Sequence, residues 1–551
     1  MQLLGDAALA IPVLGPAGSA RTTAAVRALA EAIQHAGLAD VVDVVPSPDR
    51  VTVCYNPAAG DRLDDLQASL AAIASEAPPR RHEQPATIHE IPVAYGGDAG
   101  PDLPEVCRAC RLDRDTLIRR HTAGDYLVTA VGFTPGFAYL GGLDPSLTTP
   151  RRATPRTQVP AGSVGIGGAQ TGVYPFASPG GWQIIGHTDV RFFNPEASWP
   201  ALCRVGDRLR FVEAHGNADL PKPPLGRVKA ADRASQPGLT VLSPGLMTTV
   251  QDLGRPGYRG CGVTPGGAAD AVAAAVANLL VGNPPGTALL ELTLAGPVLR
   301  CDRNLRVALT GATFPGLAGW RPLELTTGST ITLGHASRGC RGYLAIAGGI
   351  DVPTVLGSRS THVAAGFGGF AGRPLQAGDR LPIGTPCTPA TDPHWSLDPA
   401  LLPLPAGPAR LRLILPETAP AAAANGLGVA YRVSSQSDRM GLRLAGRPIE
   451  HRGDGISRAV LPGTVQLPPD GQPILLLADS QTIGGYPVLG HVASADLRLA
   501  AQLRPGDEVI FAAISRAEAH AAWQQQHGLL ADLAERIEAR WSHRLPPPLT
   551  S

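Results

Sequence analysis

Three blocks of sequence from the N-terminal half recur, in the same order, in the C-terminal half. The pairs are PAGSVGI (160–166) with LPGTVQL (461–467), GGWQIIGHTDV (180–190) with GGYPVLGHVAS (484–494), and RVGDRLRF (204–211) with RPGDEVIF (504–511). The shared order indicates two copies of one β unit. Because the strands are short and end in Gly-Asp turns, a β-barrel in each half is favoured over an open sheet. A weaker fourth pair joins GDYLVTAVGF (124–133) to RGYLAIAGGI (341–350).

The chain divides into five segments around this repeat. Residues 1–85 combine strand signals with helical periodicity at 20–36, which ends before Gly37, and predict a small α/β domain. The other segments are 86–215 with the first barrel, 216–238 as a Pro- and Ala-rich linker, 239–515 with one or more barrels, and 516–551 as a helix and tail. We expect the C-terminal helix to be peripheral. The predicted class is mainly β (α+β), with two barrels and the α/β domain before the first.

Composition excludes several classes of protein. A net charge of +1 gives no electrostatic footprint for nucleic acid or a membrane surface, and no apolar run is long enough to span a bilayer. The N-terminus has no basic segment before its apolar residues, so we expect no signal peptide and a cytoplasmic protein. Cys107 and Cys110 form a lone Cys-x-x-Cys without a second pair, so we expect reduced structural thiols and no metal site.

Lysine is rare in this chain, and its scarcity argues against three kinds of site. The two lysines, Lys222 and Lys229, both lie in the predicted linker. There is no Gly-x-x-x-x-Gly-Lys-Ser/Thr, so a nucleotide site here is not a P-loop. Neither lysine has a methionine neighbour, as a biotinyl lysine would, and a Schiff-base lysine is not expected in a linker. Arginine supplies the rest of the positive charge.

Long motifs in both halves resemble a known family. The stretch from 132 to 188, which begins GFTPGFAYLGGLDPSLTTPRRATPRTQ, resembles the B subunit of 5-oxoprolinase, also known as KipI. The second half resembles the C subunit, the KipA relative, in the motifs TVQDLGRPGY, GGAADAVAAAVANLLVGN, ALLELTLAGP, LGSRST, SSQSDRMGLRLAG and LLLADSQTIGGYP. Both halves are also similar to the carboxyltransferase region of urea amidolyase. The resemblance covers nearly the full chain and is that of a fused B–C protein.

This resemblance implies two cyclophilin-like barrels and an ATP-dependent reaction. It implies that the chain, together with a separate A subunit of 5-oxoprolinase, hydrolyses 5-oxoproline to L-glutamate, with Mg-bound ATP as the second substrate. A homo-oligomer is possible. The alternatives are a carboxyltransferase component acting on urea or a related amide, and a KipI–KipA-like regulator of a histidine kinase. The family usually has Ser at the position of Gly266, and Arg or Lys at that of His187, so roles at these two positions are open.

A five-membered lactam is an unactivated amide, so its hydrolysis with ATP relies on positioning and electrostatic stabilisation of phosphate. Arginine binds phosphate or carboxylate bidentately. The predicted anion-binding residues in the first half are Thr134 and Gly136 in the GFTPG turn, with Arg151, Arg152, Arg156 and Thr157 in the segment after it. The arginine segment is either an anion cradle or a solvated basic loop, and the GFTPG turn either offers N–H groups to a ligand or is a tight turn at a barrel rim.

Further candidates come from the polar residues of the later motifs. Gln170, Thr171 and Tyr174 recur in type as Gln481, Thr482 and Tyr486, either as a pocket wall or as barrel-closing hydrogen bonds. His187, which matches His491, is a candidate general base or part of a structural turn. Asp252 and Asp479 are the other candidate catalytic residues, and Asp252 with Arg255 also fits a local ion pair. The remaining predicted binding residues are Gln251, Arg255, Arg359, Ser437, Asp438 and Arg439.

Overall fold

A computed structural model describes residues 1–76, 86–154, 156–214, 238–387, 395–416, 425–451 and 455–542. Apart from Gly238, the predicted linker 216–238 lies outside the described residues, and so do both lysines and the last residues of the predicted tail. Four units follow one another along the chain: an N-terminal α/β domain, a first barrel, a middle unit and a second barrel.

The N-terminal domain is a four-stranded antiparallel sheet with two helices. Its elements are β1 (Gln2–Leu4), β2 (Ala8–Pro12), α1 (Ala20–Ala36), β3 (Val41–Ser47), β4 (Arg50–Tyr55) and α2 (Leu63–Glu76), with strand order β1-β2-β4-β3. Helix α1 has the predicted bounds because Ser19 Oγ accepts the Thr22 N–H at its start, and Gly37 ends it in the left-handed conformation. The predicted α/β domain therefore forms as expected.

The first barrel is a closed sheet of seven strands. The elements in this part are β5 (Ile88–Tyr95), α3 (Leu103–Cys110), α4 (Arg114–Thr122), β6 (Tyr126–Val131), β7 (Ala138–Gly141), β8 (Arg156–Val159), β9 (Ser163–Gly167), β10 (Gln170–Val173), β11 (Ser178–Gly180), β12 (Gln183–His187) and β13 (Arg208–Glu213). The barrel order is β10-β7-β6-β13-β5-β12-β9, and β8 pairs with β11 as a separate ribbon.

The middle unit consists of two sheets and a buried helix. Its elements are β14 (Leu239–Ser243), β15 (Met247–Gln251), α5 (Ala271–Leu280), β16 (Leu289–Thr293), β17 (Val298–Cys301), β18 (Leu305–Thr313), β19 (Leu323–Leu325), β20 (Thr330–Thr332), β21 (Arg338–Ile346) and β22 (Arg380–Leu381). The sheet orders are β20-β17-β14-β22 and β15-β16-β21-β18-β19. Apolar residues from both sheets form one core cluster.

The second barrel repeats the first. Its elements are β23 (Ala409–Ile414), β24 (Ala430–Val433), β25 (Gly441–Ala445), β26 (Arg458–Ala459), β27 (Thr464–Gln466), β28 (Ile474–Leu476), β29 (Ile483–Gly484), β30 (Val488–Val492), α6 (Leu497–Ala501) and β31 (Glu508–Ala513), followed by α7 (Arg516–Trp541). The barrel order β23-β30-β27-β28-β25-β24-β31 matches that of the first barrel strand for strand, and β26 with β29 reproduces the separate ribbon. The mainly β fold with two barrels is confirmed.

The fourth sequence pair is wrong. Strand β6, within 124–133, has β24 as its counterpart, whereas β21, which contains most of 341–350, lies in the five-stranded sheet of the middle unit. Both segments are mostly buried strands that contain small and branched side chains, so they resemble each other without occupying equivalent positions. By contrast, the two histidines of the second pair are equivalent, since His187 pairs with Ser163 and His491 pairs with Thr464 across neighbouring strands.

Four aspartates of the N-terminal domain bind the second half of the chain. Asp6 accepts the Ser494 N–H and hydroxyl, and Asp49 pairs with Arg458, both in the second barrel. Asp43 accepts the N–H groups of Gly257 (3.1 Å) and Arg259 (3.0 Å) of the middle unit, and Asp61 contacts His520 of α7. The N-terminal domain therefore joins the two halves, although it belongs to the first in sequence.

The C-terminal helix is not peripheral, contrary to expectation. Leu533 and Ile537 are buried in a cluster with α5, and the Trp541 indole N–H donates to the Leu279 carbonyl. The Arg306 guanidinium lies 4.4 Å from the centre of the Trp541 ring. No helix in the described ranges has the length and apolar character needed to cross a membrane.

We expect the two halves to associate when 1–215 and 239–551 are expressed as separate polypeptides. Asp43→Ala should weaken their association by about 10- to 100-fold, because it leaves the buried Arg259 N–H and the Gly257 N–H without their acceptor. Asp61→Ala is the matched control, since its contact is exposed and contributes at most about 1 kcal/mol. Co-purification and titration of one half with the other measure both effects, and equal losses from the two variants would contradict the prediction.

Acid should destabilise the second barrel through His491. Burial lowers the pKa of His491 from its ordinary 6.5 to about 4. Between these values the folded protein binds fewer protons than the unfolded chain, so stability present above pH 6.5 is lost as the pH falls to 4. His491→Gln should flatten the dependence of the melting temperature on pH in this window. Leu489→Ala, on the same strand, should lower the melting temperature without changing the slope.

Candidate functional site

The segment after β15 is organised by one carboxylate. Asp252 accepts hydrogen bonds from the hydroxyls of Ser358 (2.6 Å) and Ser360 (2.5 Å), and from the N–H groups of Arg359 (2.6 Å) and Gly254 (2.8 Å). These four donors occupy the carboxylate and fix residues 358–360 against the 252–255 turn. The local ion pair expected between Asp252 and Arg255 does not form, because Arg255 instead donates to the Ser360 carbonyl.

A fully buried arginine joins the middle unit to the second barrel. The guanidinium of Arg439 makes two hydrogen bonds to the carboxylate of Asp479, at 2.7 and 3.0 Å, and a third to Glu291 of β16. It also donates to the Gly267 carbonyl at 2.7 Å. Arg439 is 5% exposed and Glu291 is 1% exposed, so both charges are removed from water. Such a pair is strongly destabilised when one partner is lost.

The charges around Asp479 fix its ionisation. Burial acts to raise the pKa of Asp479, but Arg439, and after it His362 and Arg255, outweigh burial and hold the pKa below its usual value. Burial likewise opposes the charge of Arg439, but its two carboxylate partners hold its pKa well above the usual value. Asp479 is therefore a fixed anion at neutral pH and is poorly suited to accept a proton.

Arg255 has unused hydrogen-bond donors in this buried region. Its side chain is 1% exposed, and its Nε and Nη1 have no hydrogen-bond partner among the described residues. Burial lowers its pKa to about 10, against the opposing charges of Asp252 and Asp479. Gly266 adopts a φ of +61°, and a Cβ there would lie 3.5 Å from Arg255 Nη1 and 3.7 Å from Asp479 Oδ1. The glycine thus leaves space between the cation and the anion.

His362 completes this group. Its ring stacks on Phe367, and the Arg255 guanidinium lies 5.0 Å from the centre of the Phe367 ring. His362 Nδ1 accepts the Ala365 N–H at 3.1 Å, so the proton of the neutral ring is on Nε2. Burial lowers its pKa to about 4, and His362 is neutral at pH 7. We call the set Arg255, Glu291, His362, Arg439 and Asp479 the junction cluster.

The GFTPG turn lies against the second half of the chain. A Cβ on Gly132 would overlap Ile483 of the second barrel, and one on Gly262 would lie 2.6 Å from the Thr134 carbonyl. Gly136 adopts a φ of +76° and donates its N–H to the Cys261 carbonyl at 2.9 Å. The N–H groups of Gly132, Thr134 and Phe137 also donate to backbone carbonyls. The turn therefore uses the Gly136 N–H in the interface and the other three N–H groups within itself rather than directing them at a ligand. Thr134 Oγ1 is buried without a partner in the described chain.

The predicted arginine segment lines a pocket at the rim of the first barrel. The pocket has a volume of about 440 Å³ and is lined by Glu105, Ala109, residues 149–154 and Gln183; we call it the rim pocket. Asp102 pairs with Arg152 at 3.1 Å and makes two hydrogen bonds to Arg156, at 2.7 and 2.8 Å. The structure therefore neutralises part of the segment's charge and leaves Arg151 at the pocket, while Thr157 is exposed on β8.

The matched Gln-Thr pairs are not equivalent in the fold. Thr171 lies on β10, where its hydroxyl donates to the Gly165 carbonyl and accepts from His121 Nε2. Gln481 and Thr482 precede β29, which corresponds to β11 and not to β10. Gln481 donates to the Gln466 side chain, whereas Thr482 Oγ1 is buried without a partner in the described chain. Gln170 begins β10 beside its partner on β9.

Tyr174 and His187 lie in the first barrel. Tyr174 packs edge-on against Phe137 and Trp182 in a buried aromatic cluster, and burial raises its pKa to about 12. His187 ends β12, its side chain is one-third exposed, and its Nε2 lies 3.0 Å from Asp189. His187 therefore lies in the first half of the chain and contacts Asp189 rather than a residue of the junction cluster.

The remaining predicted residues lie outside the junction cluster. Asp438 accepts the Met440 N–H and Ser437 bonds Arg443, so the two shape the turn that positions Arg439. Arg359 points away to Asp351 and the Val352 carbonyl. Gln251 is fully buried, and its amide nitrogen donates to Thr249 and to the Thr361 carbonyl.

Sequence reasoning missed Glu291, His362, Asp102 and Gln183. Glu291 interrupts the apolar run ALLELTL, and a single carboxylate in a buried strand was the signal for a buried ion pair. The described part of the chain contains no group of three or more His, Cys, Asp or Glu arranged to hold a metal ion. All eight cysteines are free thiols, Cys107 and Cys110 included.

Comparisons with known proteins match both halves. Residues 1–203 match the family model of the carboxyltransferase domain, subdomains C and D, and residues 261–513 match that of subdomains A and B. The 5-oxoprolinase C subunit of Escherichia coli K12 is 38% identical over 314 residues, covering 54% of this chain and 98% of the relative. The 5-oxoprolinase B subunit of Escherichia coli O157:H7 is 47% identical over 176 residues, covering 31% of this chain and 78% of the relative.

A solved structure extends the match across both halves at once. The crystal structure of TTHA0988 superposes with a TM-score of 0.80 at 35% identity, covering 92% of this chain and 99% of that one. The sequence resemblance is thereby confirmed. The chain belongs to the carboxyltransferase-domain family that includes the B and C subunits of 5-oxoprolinase, and it joins the regions of both in one polypeptide.

Proposed function

We propose that this chain is the combined B and C component of an ATP-dependent 5-oxoprolinase. With a separate A subunit, it hydrolyses 5-oxo-L-proline to L-glutamate while ATP is cleaved to ADP and phosphate. One observation carries the proposal: the chain matches a B subunit and a C subunit of this enzyme, and it folds the two regions against each other through buried contacts. Separate polypeptides with such an interface would be expected to work as a complex.

The chemistry needs activation of the lactam carbonyl. Transfer of the γ-phosphoryl group of ATP to the carbonyl oxygen releases ADP and makes the ring carbon electrophilic. One water then adds to that carbon, the ring C–N bond breaks, and the nitrogen takes a proton, which leaves an acyl phosphate. A second water hydrolyses the acyl phosphate to glutamate and phosphate. Each step develops negative charge on oxygen, so fixed cations supply most of the stabilisation.

Arg255 is suited to this electrostatic role. It is a buried guanidinium with unused donors beside Gly266, and the fixed anion Asp479 lies on the other side of the glycine. Both Asp479 and Asp252 are occupied as hydrogen-bond acceptors, so we assign them to positioning rather than to proton transfer. Of the three predicted catalytic residues, His187 remains the candidate for that role, with a side chain that is one-third exposed.

ATP enters this proposal as a substrate. The chain has no P-loop, and Mg²⁺ would bind chiefly to the phosphates of ATP, with one or two carboxylates completing its coordination shell. A reaction that consumes ATP also fits a protein of the cytoplasm. The second candidate, a carboxyltransferase acting on urea or a related amide, is favoured by the carboxyltransferase descriptions of both family models. It would need a biotinyl carrier from another protein, because neither lysine has a methionine neighbour.

Reconstitution distinguishes these functions. We expect the purified chain alone to form no glutamate from 5-oxoproline and ATP, and to form glutamate and ADP in equal amounts once the 5-oxoprolinase A subunit is added. The measurement is chromatographic assay of both products, with the A subunit alone as the control. Full activity of the purified chain by itself would contradict the division of labour. Absence of activity in the mixture, together with carboxyl transfer from a biotin carrier to urea, would favour the second candidate.

Arg255→Met should reduce kcat of the reconstituted enzyme by about 100- to 1,000-fold, the loss typical of one electrostatic donor. The apolar side chain retains the volume of the buried residue, so the melting temperature should report whether the fold is kept. Arg432→Met is the matched control, since Arg432 is an exposed arginine paired with Glu508 in the second barrel. A kcat within about threefold of wild type for Arg255→Met, at roughly unchanged folding, would remove Arg255 from the reaction.

A further inference from the structure

The rim pocket has a rigid charged base. Asp102 is 4% exposed, and its carboxylate accepts hydrogen bonds from Arg152, from both terminal nitrogens of Arg156, and from the Ile184 N–H at 2.7 Å. These bonds tie helix α3, the arginine segment and strand β12 together. The pocket wall is therefore held in place before any ligand arrives, which lowers the entropic cost of binding.

Two buried polar atoms at this pocket lack partners. Gln183 is 6% exposed; its Nε2 donates to the Pro150 carbonyl at 3.2 Å, and its Oε1 has no hydrogen-bond partner in the described chain. Because the amide nitrogen is fixed by the Pro150 carbonyl, the unpaired atom is an acceptor. Arg152 Nε, a donor, is also buried and unpaired within the described ranges. Buried polar atoms are normally satisfied by protein, water or a ligand, so an acceptor and a donor without protein partners at one pocket offer a bound molecule two contacts.

Arg151 adds an available cation to the same pocket. It is exposed and has no ion-pair partner among the described residues, in contrast to Arg152 and Arg156. The ligand chemistry follows from these three groups. An anionic oxygen would bind Arg151 and Arg152 Nε, and an N–H group of the same molecule would donate to Gln183 Oε1.

We propose that the rim pocket binds a small organic anion that also presents an N–H donor. The two sources of that chemistry rest on the proposed function: the lactam, with its carboxylate and ring N–H, or the nucleotide, with its phosphates and exocyclic amino group. The volume of about 440 Å³ is within the range of small-molecule sites. The rim pocket lies in the first barrel and shares no residue with the junction cluster.

Binding to the full-length chain, with no other protein present, tests this inference. Isothermal titration with 5-oxo-L-proline and, separately, with a non-hydrolysable ATP analogue plus Mg²⁺ shows which source the pocket takes. We expect one ligand to bind with one site per chain. Arg151→Ala and Gln183→Leu should each weaken that binding by about 10- to 100-fold, the effect of a hydrogen bond to a charged or buried partner. Arg108→Ala, on the exposed side of α3, is the matched control and should bind as wild type.

A methylated ligand checks the N–H contact if the lactam binds. N-methyl-5-oxoproline should bind the wild type more weakly than 5-oxoproline, and Gln183→Leu should not distinguish the two. Binding of neither ligand, or binding that both variants leave unchanged, would overturn the inference. Because no turnover is involved, ligand binding with an inactive reconstituted mixture would count against the proposed function alone, and glutamate formation without these binding effects would count against the rim pocket alone.

Discussion

The hydrogen bonds of Arg439 to Glu291 and Asp479 are the interaction on which the second half of the chain depends. Arg439 and Glu291 are buried and Asp479 is 13% exposed, so losing one partner is costly, and the contacts hold strand β16 of the middle unit against the segment after β28 of the second barrel. The same contacts fix the Gly267 carbonyl, and with it the turn that carries Gly266 beside Arg255. The donors of Arg255 therefore lie beside a turn that the charges of this network hold in place.

The N-terminal domain extends this dependence to the first half. Its carboxylates bind the middle unit, the second barrel and the C-terminal helix, and the GFTPG turn fills the remaining space against Gly262 and Ile483. The two repeated barrels thus differ in their polar groups: the first has a pocket at its rim, and the second contributes to a buried charge network.

The repeated barrels could be predicted from the sequence, whereas the buried charge network around Arg439 could not. Short repeated motifs specify local strands and turns, so the equivalence of His187 and His491 could be predicted from the sequence alone. Glu291 and Arg439 lie 148 residues apart, and nothing in the local pattern of either residue names the other. The pairing of 341–350 with 124–133, and of Thr482 with Thr171, failed for a related reason: strand composition reflects burial, and many positions in one fold are equally buried.

The free energy of unfolding of variants that lack these charges tests most directly whether the second half of the chain depends on Arg439. We expect Arg439→Met to lower the free energy of unfolding at pH 7 by about 3–5 kcal/mol, because Asp479 loses both of its guanidinium hydrogen bonds, while the buried Glu291 keeps Arg341, at 3.8 Å, as its cation. The triple variant Glu291→Gln, Asp479→Asn, Arg439→Met should regain part of that loss, since neither carboxylate is then left without Arg439, although Arg341 gives up its contact with Glu291. A loss below about 1 kcal/mol for Arg439→Met, the range of an exposed pair, would contradict the account.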